Sequence, residues 1–335
     1  MIYKLIAVGD PHLATRTPGS RRDDYFLSCK DKLTFILKQA VYRKANAVVF
    51  TGDLFHDKDQ SKIDSQLLHV LLNFFEKTKQ FNITCFSTTG NHDMKFHDPD
   101  ISLRNISLLT RASDNFILVD KHPQLITVEN NTLAITGSSF VFHGDKGNIK
   151  ERTQYFPEKQ KADYHIHVTH GSQMPRQEVS NANFMEITES ESILFENPVW
   201  DLNINGHIHS VDQKVVSYKN KHILNPGSLT RGSLSMDNIR REITITQVTI
   251  DLSTKKVEFE HILVPAKKAE EIFDVNSYLE EKQLDAKVQR FIDMLRDSSL
   301  SSESSNNQLE KLVSDSLVEQ PVKDKALEYI QKLDA

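Results

Sequence analysis

Short apolar runs in the first two-thirds of the chain each stop at a polar cluster beside glycine. They are IYKLIAV (2–8) before Gly9-Asp10, NAVVFT (46–51) before Gly52-Asp53, ITCFSTT (83–89) before Gly90-Asn91-His92-Asp93, HIHVT (165–169) before His170-Gly171, and DLNIN (201–205) before Gly206-His207. Runs this apolar suit strands buried on both faces. Between the first three, Phe26, Leu33, Ile36, Leu37, Ala40 and Val41 recur at helical spacing, as do Leu67, Leu68, Leu71, Leu72 and Phe75. The order β-α-β-α-β predicts an α/β fold with helices covering the strands. In such sheets ligands sit in the crevice at the carboxyl ends of the strands, so five polar strand ends predict one shared site. Residues 127–142 and 243–263 read as further strands, the latter a hairpin turning near Leu252-Ser253-Thr254-Lys255, and a second sheet follows.

Beyond Pro265 the texture changes. An acidic helical pattern over 277–296 leads into the polar tract SSLSSESSNNQ (298–308), a linker by composition, and then into a second helical pattern over 309–333. The expected division is a catalytic part, 1–263, and a helical tail, 264–335. A chain of 335 residues, 38% hydrophobic, can bury one large core and carry such an appendage. The net charge of -5 sits in the tail: residues 264–335 hold 10 Lys+Arg and 15 Asp+Glu, and the rest holds 31 of each. A neutral catalytic part, with carboxylates that bound cations would offset, leaves a phosphate-bearing substrate open. Cys29 and Cys85 match no ligand spacing, so neither a disulfide framework nor a cysteine zinc site is expected, and a reducing, cytoplasmic compartment is. The apolar run at the start is short and broken by Lys4, and no stretch is long enough to span a membrane.

The strand-end clusters carry the chemistry. Cleaving a phosphoester near neutral pH needs a strong nucleophile and neutralisation of the phosphoryl oxygens, and a pair of metal ions supplies both. Asp10-x-His12, Asp53, Asn91-His92, His170 and His207-x-His209 offer seven nitrogen or oxygen ligands and one spare histidine. Residues i and i+2 of an extended segment face the same side, so each x-spaced pair can serve one centre. Taken singly, such a pair is more often a solvated surface feature, and an Asn-His after a strand is more often turn chemistry. Five of them, each after a buried-strand pattern and close to glycine, are not. The remaining histidines, including His165 and His167, read as surface or packing residues. A set of His, Asp and Asn without sulfur suits Mn, Fe or Zn better than Ca.

The blocks GDPHL, GDLFH, GNHD, THGS and GHIH, in this order over residues 9–209, resemble the calcineurin-like metallophosphoesterase superfamily. The resemblance implies a four-layer α-β-β-α sandwich and two divalent metal ions. Asp10, His12, Asp53 and His209 would hold one ion and Asp53, Asn91, His170 and His207 the other, with Asp53 bridging. It also implies that His92 acts at the scissile phosphate without binding metal, in keeping with a side chain that titrates near neutral pH, and that His56 is a second non-ligand histidine aimed at the substrate. Gly52-Asp53-Leu54-Phe55-His56-Asp57 looks like the SbcD-type DNA repair nucleases, including phage members, rather than protein phosphatases. Arg22-Asp23-Asp24-Tyr25-Phe26 and Asn225-Pro226-Gly227-Ser228 agree; Pro11 and Ala14 depart from that group's usual residues. That branch implies Mn as the metal, DNA as substrate, a homodimer, and an SMC-like coiled-coil ATPase subunit as partner. The tail's apolar positions Phe291, Ile292, Leu295, Leu309, Leu312, Val313, Leu317, Leu327, Ile330 and Leu333 would suit docking on that ATPase or packing on the chain's own core. A phosphatase or small-molecule phosphodiesterase with the same centre, and a non-catalytic scaffold, are the competing readings. A scaffold would have lost ligands, and none is missing.

Overall fold

Strand β1 (Ile2–Val8) explains why the first apolar run is nearly continuous: Leu5 and Ala7 pack into one hydrophobic cluster, Ile6 and Val8 into another. β2 (Ala47–Phe50) repeats this, with Ala47 and Val49 on one face and Val48 and Phe50 on the other. Successive side chains of a strand alternate faces, so a strand covered on both sides leaves no polar position in its pattern. One of the clusters is shared with helices α1 (Tyr25–Tyr42) and α2 (Ser65–Gln80). The other is shared with a second sheet. The computed structural model describes residues 1–59, 62–94, 104–146, 148–149, 152–179, 186–298 and 306–332.

Both helices start where the sequence supplies a cap. The Asp24 carboxylate accepts from Leu27 N and that of Asp64 from Leu67 N, satisfying N–H groups that a first turn leaves unpaired. α1 buries Tyr25, Cys29, Leu33, Ile36 and Ala40, and α2 buries Leu67, Leu71, Phe74 and Phe75, each at three- or four-residue spacing.

With β3 (Thr84–Ser87), β4 (Phe116–Leu118) and the predicted hairpin β13 (Thr244–Asp251) and β14 (Lys256–Leu263), the first sheet has the order β14-β13-β1-β2-β3-β4. The second sheet, built from β5 (Gln124–Val128), β6 (Asn131–Ser138), β7 (Tyr164–His170), β10 (Leu202–Gly206), β11 (Val215–Tyr218) and β12 (Lys221–Leu224), has the order β11-β12-β10-β7-β6-β5. The short strands β8 (Gln173–Met174) and β9 (Thr188–Glu189) pair with each other. On the outer face of the second sheet, Trp200, Tyr155, Ile193, Leu194, Val216 and Ile223 form a third cluster together with the short helix Ser190–Phe195. The layers are those of the α-β-β-α sandwich.

Register decides which strand ends meet. β1, β2 and β3 run parallel with Val8 beside Phe50 and Phe50 beside Ser87, so the clusters that follow them emerge side by side. In the second sheet Gly206 pairs with His170, aligning the ends of β10 and β7 in the same way.

The segment Met1–Ile272 forms one compact unit and Phe273–Ala335 another. In the second, α3 (Val275–Ser298), α4 (Asn306–Asp315) and α5 (Gln320–Lys332) share a core of Val288, Phe291, Val313, Val322, Ala326 and Ile330. The single helical stretch expected over 309–333 is thus two helices. Pro321 lies in the first turn of α5, where its missing N–H costs nothing, and it could not continue α4. Of the predicted linker, 299–305 lies outside the described residues and Asn306, Asn307 and Gln308 are helical. Leu317 is fully exposed. The side chains of Ile292, Leu295, Leu309 and Leu312, and Leu333 itself, lie outside the described residues. Among the described residues no helix is long and apolar enough to cross a membrane.

Lys32 is the exception on the buried face of α1. Its Nζ donates to the Leu229 carbonyl at 2.9 Å, and burial pushes its pKa down to about 7. Between that value and the ordinary lysine value near 10.4 the unfolded chain binds a proton that the folded chain has lost, so this residue makes stability rise with pH. Lys32→Met is expected to flatten that rise, and urea unfolding at pH 7 and pH 9 should show the wild type gaining about 2 kcal/mol relative to the variant over this interval.

Candidate metal centre

Asp10 and His12 follow β1, Asp53 follows β2, Asn91 and His92 follow β3, His170 ends β7, and His207 and His209 follow β10. All lie on the rim where the parallel strands of both sheets end. The turns that aim them are sharp. Asp10, His12, Asp53 and His207 all have positive φ, at 20°, 46°, 49° and 77°, a region that side-chain-bearing residues rarely occupy. Conformations of this kind cost on the order of 1–3 kcal/mol each and survive only where the surroundings impose them. Here the surroundings are close-packed: a Cβ on Gly90 would stand 2.2 Å from Asp53 Oδ1, and one on Gly206 would stand 2.3 Å from Asp10 Oδ1.

Three groups of ligand atoms gather within 4.8 Å of one another: Asp10, His12 and His209; Asp53, His170 and His207; and His12, Asp53 and His92. Asp53 Oδ2 lies 3.5 Å from His12 Nε2 and 3.4 Å from His170 Nε2, between the first two groups. His12 Nε2 and His209 Nε2 are 2.9 Å apart, and Asn91 Oδ1 lies 3.0 Å from both His170 Nε2 and His207 Nδ1. All seven residues expected as ligands from the sequence are therefore brought together.

The donor set fits cations. His170 Nδ1 donates to the Thr51 carbonyl at 2.7 Å, which aims Nε2 at Asn91 Oδ1 and Asp53 Oδ2. Carboxylate, amide and imidazole groups converge there, an arrangement that a proton or a metal ion among them satisfies. Burial alone would lower the pKa of His170, but Asp53, Asp10 and the Thr51 carbonyl raise it to about 9. Burial pushes Asp53 up, yet His170, His12 and His92 outweigh it and hold the carboxylate ionised well below its ordinary range. The other imidazoles are driven neutral by burial, His12 and His209 downward and His207 to about 3, so their lone pairs are available at neutral pH.

His92 stands beside this cluster. Its backbone N–H donates to Asp53 Oδ1 at 2.7 Å, and its Nδ1 lies 2.5 Å from the His56 carbonyl oxygen. The His56 ring, 6.2 Å from the His92 ring, belongs to none of the three groups, and burial lowers its pKa. His165 and His167 face the outer side of β7, where both bond the Thr136 hydroxyl at 2.7 and 2.8 Å and burial lowers them to about 4 and 3.

Several supporting contacts were not read from the sequence, although Asp93, Tyr25 and Ser228 lie in blocks that carried the resemblance. Thr51 Oγ1 donates to Asp10 Oδ1 at 2.8 Å; its place before Gly52 was a usable signal. Asp93 accepts from Gly90 N at 2.9 Å and Phe55 N at 3.2 Å, tying two ligand loops together, and burial beside Asp53 raises it to about 8. Tyr25 Oη donates to the His12 carbonyl at 2.7 Å, and Ser228 Oγ to that of Asp10 at 3.0 Å. Phe140, 5.1 Å from the His207 ring, carried no signal at all. A cavity of about 490 Å³ opens off the cluster, lined by Asp53, Asn91, His92, His207 and His209 on one part of its wall.

Gly90→Ala should push Asp53 out of place while leaving the sheets intact. We expect unchanged far-ultraviolet circular dichroism, at least tenfold weaker divalent-ion binding by titration calorimetry, and a comparable loss of phosphoester hydrolysis.

Residues 3–211 match the family of calcineurin-like phosphoesterases. No curated protein matches the chain. Among solved structures, one described as "Putative 5'-Nucleotidase from Staphylococcus aureus in complex with alpha-ketoglutarate" is similar with a TM-score of 0.50 and 16% identity, over 79% of this chain and 54% of that one. This chain thus spans about half the length of that structure's chain, and at that identity the likeness is one of fold. With a match covering more than half of its length, the chain belongs to the calcineurin-like phosphoesterases.

Proposed function

We propose that the chain is a DNA nuclease, an Mn-dependent exo/endonuclease of the SbcD type that works as the nuclease subunit beside an SMC-like coiled-coil ATPase. The observation that carries the choice of a diester is the charge of the cavity: among the described residues its walls include no Lys or Arg. A phosphomonoester brings close to two negative charges and a diester one, so a site with few cations of its own favours the diester. Lys58, whose Nζ lies 3.3 Å from the Asn91 amide, is a single approach. The Leu54-Phe55-His56 block supports DNA as the diester.

In this reading Asp10, His12, Asp53 and His209 hold one divalent ion and Asp53, Asn91, His170 and His207 the other. Two such ions supply charge neutralisation at the phosphoryl oxygens and lower the pKa of water. Hydrolysis joins the oxygen of water to phosphorus, breaks the opposite P–O ester bond, and requires a proton on the leaving oxygen. In this reading His92 delivers it. Its Nδ1 is committed to the His56 carbonyl, which leaves Nε2 to exchange protons with substrate. His56 acts on His92 through that carbonyl.

With Mn, linear duplex and single-stranded DNA and bis-p-nitrophenyl phosphate should be hydrolysed and p-nitrophenyl phosphate turned over far more slowly; activity on the monoester alone rejects the nuclease reading. His92→Ala should lower DNA cleavage at least 100-fold with both metals retained, and an emptied site by metal analysis would sink its role as proton donor. Deleting residues 277–335 should abolish binding of the ATPase and spare cleavage of bis-p-nitrophenyl phosphate, whereas a truncated chain that still binds the ATPase would refute the docking role of the tail.

A further inference from the structure

The remaining wall of the 490 Å³ cavity differs in character from its metal side. Met174, Ile187, Ile208 and Val211 give it an apolar surface, and Glu178, Asp212 and Asp237 give it three carboxylates. Glu178 is fixed, since its two oxygens accept from Gln213 N at 2.9 Å and Asp212 N at 3.0 Å and so hold the Asp212 segment against the cavity. A neighbouring cavity of about 660 Å³ shares His209, Asp212 and Asp237 but adds Lys214, Arg240 and Arg241. The surroundings of the centre are therefore asymmetric, apolar and acidic in one cavity, with cations in the next.

A polyanion threading the first cavity would carry its flanking phosphates past three carboxylates, with no Lys or Arg among the described residues that line it. An uncharged nucleoside would not be repelled, and the apolar wall suits the face of a base. The volume lies in the range of small-ligand pockets. We propose that this cavity receives the terminal nucleoside of a DNA strand and that Asp212 and Asp237 exclude an end bearing a phosphate, so that the enzyme works from hydroxyl-terminated ends. This rests on the nuclease reading and adds to it a choice of strand end.

The test compares, with Mn and the full chain, oligonucleotides of one sequence whose ends carry hydroxyl groups, a 3′-phosphate or a 5′-phosphate, together with a covalently closed single-stranded circle and bis-p-nitrophenyl phosphate. A phosphate on one of the two ends is expected to lower kcat/KM at least tenfold, and the Asp212→Asn, Asp237→Asn double variant should bring the ratio of hydroxyl to phosphate ends to about threefold or less. Equal rates on all linear ends, or cleavage of the circle as fast as of the linear strand, would overturn the terminal-nucleoside site while leaving the nuclease standing; the wild-type comparison decides this even if the variant does not fold. Failure to cleave any of these diesters would instead remove the nuclease reading beneath it.

Discussion

A carboxylate buried to 1% exposure at the end of β2 is the constraint around which this molecule is organised. An ionised Asp53 deep in protein is tolerable only with positive charge beside it, because the desolvation of an unpaired charge costs several kcal/mol or more. Three imidazoles and the backbone N–H of His92 converge on it, and His170 keeps a proton to about pH 9 on its account. The same electrostatic demand that makes the cluster hold a proton suits it to divalent cations. Fold and chemistry are coupled through that one group.

The demand is met by stiff scaffolding. Four residues of the cluster in the left-handed region of backbone space would relax if their loops were free. They are held by contacts far apart in sequence: β1 bridges to the loop after β12 at Gly9 and Ser228, Leu13 bridges to Phe55, and the Tyr25 hydroxyl on α1 grips the His12 carbonyl. Arg21, Arg231 and Arg241 in turn donate to carbonyls of residues 228–241 and 267, fixing the loop that clamps Asp10. Much of the polar interior thus serves geometry at the rim. The two glycines packed directly on Asp53 and Asp10 show how little slack remains, since even a methyl group cannot be added there.

The proposed division of labour follows from where charge sits. Imidazole and carboxylate concentrate at the strand ends, whereas the cavity next to them is apolar and acidic, and cations appear in the neighbouring cavity. A cluster that collects cations beside a pocket that repels anions selects for a substrate with little charge beyond the ester being cut. This asymmetry belongs to loops between strands, which vary independently of the sandwich that carries them.

Local patterning by itself determined the five strands that lead into the site, the helices α1 and α2, the 243–263 hairpin and the list of polar residues at strand ends, because period-2 and period-3.6 burial are written in neighbouring residues, whereas β4, β11 and β12 are too short to stand out. It also marked all seven residues of the cluster, since a polar group directly after a doubly buried strand is anomalous wherever it occurs. Only the tertiary structure decided which of those groups touch, because parallel register across two sheets is a non-local property. The same holds for Tyr25, Phe140 and Asp93 and for the acidic cavity wall: Tyr25 reaches His12 across 13 residues, Asp93 reaches Phe55 across 38 and Phe140 reaches His207 across 67, the cavity wall is a space between segments, and no periodicity records such relations. Where the tail was read as one helix over 309–333, Pro321 was the local sign of a break, and the core of Val313, Val322 and Ile330 made that break usable.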